Sequence, residues 1–230
     1  MILIKKIAAK LPIRWQNELK KFYFSRQIIK NTFEPSEPEY DILPNFINPG
    51  DWVVDIGANI GHYTKRFSEL VGAQGRVIAF EPVPTTFSIL AANVQLFHNS
   101  NVTLINAAVS DKLDVLGMSI PKFSTGLDNY YQAHLSAASD CELFVLTLSL
   151  DLLCINHRIA LIKIDAEGHE SFVLSGMPIL IKKYFPVLIV ETESNEIISD
   201  LLSLGYVSNK LNNSPNIIFI PKSFQTSISS

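Results

Sequence analysis

Two short stretches hold side chains that a purely structural chain has little use for. The first is Asp55-Ile56-Gly57-Ala58-Asn59-Ile60-Gly61, where an acid and two glycines follow an apolar run. Gly57 and Gly61 permit a tight turn and let a ligand approach the backbone, and a helix starting after the turn offers free N–H groups. Asp55 can accept a hydrogen bond from an ammonium group, directly or through water. Glu81 closes the next apolar run 20 residues after Gly61, where a carboxylate can take both hydroxyls of a ribose.

A glycine turn paired with an acidic strand end serves both nicotinamide dinucleotides and S-adenosylmethionine. The dinucleotide turn places glycine at three positions of G-x-G-x-x-G to admit a pyrophosphate. Here Asn59 holds the middle position, the spacing is G-x-N-x-G, and Asp55 lies beside the turn. A carboxylate there suits the cationic methionine end of S-adenosylmethionine better than it suits a pyrophosphate. The rival readings are a nicotinamide-dependent oxidoreductase on a related fold and a non-catalytic cofactor-binding module that docks a partner through residues 1–30.

The second stretch is Leu161-Ile162-Lys163-Ile164-Asp165-Ala166-Glu167-Gly168-His169-Glu170. Strand alternation puts Lys163 and Asp165 on one face near the strand's carboxyl end. Burying both in so apolar a strand is costly unless they pair with each other or with a ligand. Glu167 and His169 follow in a loop where Gly168 permits a positive φ. The cluster is a site candidate, although a lone loop histidine is more often a capping or solvent-facing residue. Asp165 and Glu167 raise the question of a divalent metal, which two acids do not establish. Glu191, Thr192 and Glu193 end a later apolar run and either reach the same cleft or leave the sheet into solvent.

These residues need a scaffold that brings strand ends together. Apolar runs at 52–55, 76–81, 102–106, 159–164 and 187–191 alternate with helical patterns near 62–71, 85–97 and 170–184. Fully apolar strands of this kind belong in a parallel sheet covered on both faces, so the pattern predicts a doubly wound α/β domain. Two short strands around Asn212-Asn213-Ser214 add a terminal antiparallel pair. Residues 112–146 interrupt the alternation with turn residues, aromatics and one strand candidate, LFVLTLS. This insertion falls where loops overhang the ligand-binding edge of such sheets, as a substrate-facing cap or as a surface hairpin.

The chain has 230 residues, 47% of them hydrophobic, which suits one globular domain. Its net charge of −3 argues against wrapping nucleic acid. Residues 1–30 nevertheless set eight basic residues against Glu18 alone, a local charge of +7, leaving −10 on the remainder. Trp15, Leu19 and Phe22 give this segment an amphipathic helical pattern from about Arg14 to Ile29, followed by a boundary or hinge at Pro35 and Pro38. The expected organisation is a basic segment over 1–38, a catalytic domain over 39–222 and a flexible tail over 223–230. Cys141 and Cys154 are too few for a disulfide framework. The start, MILIKKIAAKLPI, lacks an uninterrupted signal-peptide core, and no run is long and apolar enough to span a bilayer. A cytoplasmic setting follows as the expectation, peripheral at the inner face of a membrane if residues 1–30 meet anionic lipid. The alternatives for that segment are a solvated helix packed on the domain and a homodimer contact.

VVDIGANIGHYT, GRVIAFEPVP, NVTLINAAVSD, LIKIDAEGHESFVLSG and PVLIVETE occur in order, and the chain resembles the FkbM-type S-adenosylmethionine-dependent methyltransferases over roughly residues 39–220. The resemblance implies a Rossmann-like class I methyltransferase fold, with a mostly parallel seven-stranded sheet, an antiparallel last strand and helices on both faces. It implies that Asp55, Gly57, Asn59 and Gly61 surround the methionine part of the cofactor. Glu81 would hold the ribose, with Pro82 and Val83 beside it, and Asn106 and Ala107 would lie near the adenine. Lys163, Asp165, Glu167 and His169 would face the methyl group and the acceptor, a hydroxyl on a sugar of a glycan or glycolipid or on a related small molecule. Ala166 and His169 depart from the familiar pattern. Methyl transfer to a hydroxyl needs positioning and a general base within about 3 Å; Asp165 is the expected orienting or basic group, fixed by Lys163.

Overall fold

The computed structural model describes residues 11–126, 128–136 and 141–223. The elements are α1 (Ile13–Ile29), α2 (Glu39–Ile42), β1 (Trp52–Ile56), α3 (His62–Val71), β2 (Arg76–Phe80), α4 (Pro84–Val94), β3 (Val102–Ile105), β4 (Ala108–Val109), β5 (Asp114–Ser119), β6 (His134–Ser136), β7 (Leu143–Leu148), β8 (Ile159–Ile164), α5 (Glu170–Ser175), α6 (Pro178–Tyr184), β9 (Val187–Glu191), α7 (Asn195–Ser203), β10 (Tyr206–Lys210) and β11 (Asn216–Pro221). Seven strands form one sheet in the order β3-β2-β1-β8-β9-β11-β10. Only β11 runs against the others, pairing antiparallel with β9 and β10. The expected mostly parallel sheet with an antiparallel last strand is the one observed.

Strand alternation divides the core. Val54, Ile56, Ile162, Ile164, Leu188 and Val190 pack with Val173, Ile181, Ile197 and Leu201 of α5, α6 and α7. Val53, Val77, Leu161, Val187 and Ile189 face the other way, onto Tyr63, Phe67 and Val71 of α3. Asp55 and Lys163 follow the parity of Val53 and Leu161, so both point to the α3 side of the sheet. Their position is therefore fixed by the hydrophobic pattern of the strands that carry them.

Three local expectations change. The 112–146 insertion carries β5, β6 and most of β7, which join β4 in a second sheet of order β4-β7-β5-β6, rather than forming a loop with one strand. Gly117 hides β5 from a propensity reading, yet a Cβ there would stand 2.9 Å from the Ser136 carbonyl oxygen. The helix expected over 170–184 is two helices, because Gly176 passes close to Ser110, whose carbonyl oxygen would lie 1.9 Å from an added Cβ, and Pro178 opens a new helix.

The stretch around Pro35 and Pro38, expected as a hinge, is anchored on both sides. Phe33 is fully buried, with its ring 4.2 Å from that of His62. Glu39 is also fully buried. It accepts hydrogen bonds from Tyr63 Oη at 3.2 Å, from Ser214 Oγ at 2.7 Å and from the Asn216 side-chain amide. One carboxylate thus joins the N-terminal segment, α3 and the β10–β11 turn. The tail expected over 223–230 lies, but for its first residue, outside the described residues, as do Lys5, Lys6 and Lys10. Among the described residues, no helix is long and apolar enough to cross a membrane.

Glu39→Ala strands three buried donors. It is expected to cost about 2–4 kcal/mol, read as a melting temperature lower by roughly 5–15 °C for a chain of this size; a change under about 2 °C would show that the carboxylate is not a tie.

Candidate active site

The glycine turn is shaped by close approach. Gly57 has φ +76°, and a Cβ there would lie 1.9 Å from the Asp165 carbonyl oxygen, so no larger residue fits. Its N–H and that of Ala58 donate to the Phe80 carbonyl at 3.1 and 2.8 Å, while the Asp165 N–H donates to Ile56 O at 3.1 Å. These bonds stitch together the carboxyl ends of β1, β2 and β8. Gly61, at φ +99°, faces Leu90 instead: a Cβ there would meet Leu90 Cδ1 at 2.7 Å. Gly61 therefore seats α3 against α4 rather than lining the cleft.

Asn59 takes the left-handed conformation at φ +50°, which Asn tolerates better than most residues. This turns its N–H onto Glu81 Oε2 at 3.0 Å, and the Val83 N–H donates to Oε1 at 2.8 Å. Burial pushes the Glu81 carboxyl up to about 8 against the opposing pull of those two N–H donors. Asn106 donates its side-chain amide to the carbonyls of Glu81 and Pro82 at 2.8 and 3.0 Å. It holds the acidic turn in place, and its neighbour Ala107 is the one that reaches the cleft.

Beneath the cleft, Lys163 is 3% exposed and pairs through Nζ with Asp165 Oδ2 at 2.8 Å. It also sits 4.7 Å from the centre of the Tyr63 ring. Burial alone would lower the lysine pKa, but the Asp165 and Asp55 charges outweigh it and the net shift is upward. Lys163 is thus an ammonium and not a base. Asp55, its partner across the β1–β8 pair, is 1% exposed. Thr64 Oγ1 donates to its Oδ2 at 2.6 Å, while Oδ1 is buried with no partner. Burial raises the Asp55 carboxyl to about 6, opposed by Lys163.

The cleft has a volume of about 220 Å³ and is lined by nine of the residues singled out in the sequence: Gly57, Asn59, Glu81, Pro82, Val83, Ala107, Asp165, Glu167 and His169. Asp55 and Lys163 lie under its floor. The Glu167 carboxyl is pushed up to about 7, by partial burial first and by the Asp165 and Glu170 charges next. His169 Nε2 shares a hydrogen bond of 2.8 Å with Ser110 Oγ, and its ring stacks on Phe172 at 4.5 Å. Burial lowers its pKa, leaving it neutral.

Glu37, which the sequence did not mark, reaches the cleft from the proline-rich stretch, and the insertion expected as a substrate-facing cap or a surface hairpin contributes Met118 of β5, Leu135 of β6 and Tyr130 of the short 3-10 turn between them. The insertion is therefore a wall of the cleft. Glu191, left open in the sequence, lines the cleft too, and burial and Asp165 raise its pKa. Glu167, Glu191 and Pro215 are shared with a larger groove of about 1280 Å³ that runs between α5–α6 and α7. Leu174, Ile181, Ile197 and Leu201 line it, and Glu170, Glu193, Glu196 and Asp200 outnumber Lys182 among its charged residues. Among the described residues, no group of three or more His, Cys, Asp or Glu side chains is placed to hold a metal ion.

A family model described as the methyltransferase FkbM domain matches residues 55–208. A relative from Beauveria bassiana named Methyltransferase 1 is 28% identical over 158 residues, 60% of this chain and 62% of its own length. A 31-O-demethyl-FK506 methyltransferase from Streptomyces tacrolimicus is 36% identical over 97 residues, 42% of this chain and 35% of its own length. The match thus spans less than two thirds of either relative. A solved FkbM methyltransferase from Methylobacillus flagellatus shares the fold at TM-score 0.54 and 15% identity, covering 89% of this chain and 59% of that one.

Glu81 yields a pH prediction. The folded chain holds its proton up to about pH 8, whereas the unfolded chain releases it near the ordinary carboxyl value of 4.5. Between those values the folded state binds the extra proton, so stability falls as pH rises through this window. Urea unfolding without ligand is expected to show a loss on the order of a few kcal/mol from pH 5 to pH 8, and Glu81→Gln should flatten that slope. An equally steep slope in the variant would place its origin elsewhere.

Proposed function

We propose that this chain, which belongs to the FkbM methyltransferase family, is an S-adenosylmethionine-dependent O-methyltransferase whose acceptor is a hydroxyl on a sugar of a glycan, glycolipid or related secondary metabolite. The observation that carries the reading is one cleft with Gly57, Asn59 and Glu81 on one side and Asp165, Glu167 and His169 on the other. The Streptomyces relative is named for a 31-O-demethyl compound, which supports an oxygen as acceptor. Family membership and Asn59 in the turn set aside the nicotinamide reading.

The residues present fit the cofactor. Gly57 and Asn59 bring the turn to the cleft, Glu81 places its carboxyl in the wall, and Val83, Ala107, Met118 and Leu135 supply apolar surface for a base. The buried, unpartnered Asp55 Oδ1 supplies negative potential under the turn, favourable to a sulfonium ligand. When bound, the cofactor would supply a sulfonium methyl group to the acceptor oxygen, the C–O bond forming as the C–S bond breaks and S-adenosylhomocysteine leaves.

The chain's own contribution is positioning and proton handling. Lys163 holds Asp165 through Oδ2 beside the cleft, where that carboxylate would orient the acceptor hydroxyl. Lys163 is accordingly a positioning residue. Glu167, raised to about 7, is matched to taking up the hydroxyl proton near neutrality, and His169, whose pKa burial lowers, lines the same cleft. The acidic groove that opens from the cleft supports an acceptor that is neutral or cationic with apolar parts, and disfavours nucleic acid.

Asp165→Asn is expected to lower turnover by 10²-fold or more while S-adenosylhomocysteine affinity changes less than about threefold; a variant that turns over normally would remove Asp165 from the mechanism. Because ribose hydroxyls prefer ionised Glu81, binding should expel a proton. Calorimetry should then show S-adenosylhomocysteine affinity rising between pH 6 and 8, approaching tenfold per unit, and a flat profile would take Glu81 away from the ribose.

A further inference from the structure

We propose that the outward face of α1 is a docking surface for anionic lipid, which holds the cleft beside a membrane. The helix is apolar on two opposite sides. Phe24 and Ile28 turn inward onto Phe33, Ile60 and Ile89. On the other side Trp15, Leu19, Phe22, Arg26 and Ile29 recur at helical spacing along one line. Trp15, Leu19, Phe22 and Ile29 are 54%, 50%, 59% and 76% exposed, with Tyr23 beside them at 58%. A helix that only covered the domain would have no use for this second stripe.

Its charge selects the occupant. Arg14, Lys20, Lys21, Arg26 and Lys30 stand on or next to α1 against the single acid Glu18, which Lys21 engages at 3.0 Å. The Arg14 guanidinium lies 5.8 Å from the Trp15 ring centre and that of Arg26 lies 5.2 Å from Phe22. Aromatic and aliphatic side chains flanked by cations are the composition of helices that lie in the headgroup region of anionic bilayers. A second copy seated on the same stripe would instead bring Arg14, Arg26 and Lys30 of two chains together.

The rest of the molecule repels the same surface. Residues 31–230 carry −10, with Glu170, Glu193, Glu196 and Asp200 along the groove, so α1 is the side that approaches. Its inner flank touches the cleft wall, where Lys20 Nζ lies 4.7 Å from the ring centre of Tyr130. Docking would therefore bring the cleft within one side chain of the bound helix. Nothing in this inference requires the chemistry proposed above.

The test is flotation of the full chain with vesicles of phosphatidylcholine, alone or mixed with phosphatidylglycerol. The protein is expected to float with the mixed vesicles only and to detach as salt is raised. Trp15→Ser/Leu19→Ser/Phe22→Ser, all exposed, should reduce the bound fraction at least tenfold with melting temperature and S-adenosylhomocysteine affinity unchanged. Arg14→Glu/Arg26→Glu should abolish the preference for phosphatidylglycerol. Failure of the unaltered chain to float, equal flotation with neutral vesicles, or full binding by the triple variant would each overturn the proposal. So would a dimer, seen by light scattering, that the triple variant dissociates in the absence of lipid, since the face would then be a contact between copies.

Discussion

A lysine ammonium with 3% exposure inside the central strand of a parallel sheet is the constraint on which the site depends. Such a charge is tolerable only with fixed partners close by. Lys163 finds them in Asp165 on its own strand and Asp55 across the β1–β8 pair, with Tyr63 presenting its ring from α3. Satisfying this one charge determines where both aspartates sit. It also commits the strand ends: Asp165 must lie near Gly57, and the approach is so close that Gly57 admits no Cβ.

From that constraint the acids of the cleft divide into two kinds. Asp165 lines the cleft and is tied to a cation. Asp55 shares Lys163 with Asp165 across the strand pair, Glu81, Glu167 and Glu191 form no ion pair among the described residues, and burial moves all four toward the neutral form. The cleft is therefore short of positive charge, lined by Glu37, Glu81, Asp165, Glu167 and Glu191. A ligand that brings a cationic sulfur and hydrogen-bond donors corrects the shortage, so on the proposed reading the binding preference comes from the electrostatics of the cleft as much as from its shape.

The parts of this arrangement legible in the sequence were those encoded locally. The glycine turn, the acid ending β2 and the Lys163–Asp165 spacing each lie within a few residues, and the alternating apolar runs give the strand parity that sets which way they point. What the sequence hid is non-local. Glu37 enters the cleft because Phe33 and Glu39 anchor the chain around it, and the partners of Glu39 at Ser214 and Asn216 lie 175 and 177 residues away. The second sheet was obscured because Gly117 weakens the β propensity of β5 and the turn residues around it read as loop. The groove between α5–α6 and α7 exists only once Gly176 has broken one expected helix into two.

The second sheet also changes what the basic segment is for. As a loop, the insertion would have been a cap with no fixed relation to residues 1–30. As a sheet, it anchors the turn between β5 and β6 that carries Tyr130, which lines the cleft and has its ring under Lys20 of α1. The chain's opposite charges are thereby segregated in space as well as in sequence, acids around the cleft and groove and cations along one helix. Against an anionic surface such a distribution has a preferred orientation, because the field that draws α1 inward pushes the acidic groove outward. An amphiphilic acceptor held in that surface would then meet the cleft from the α1 side, along Tyr130.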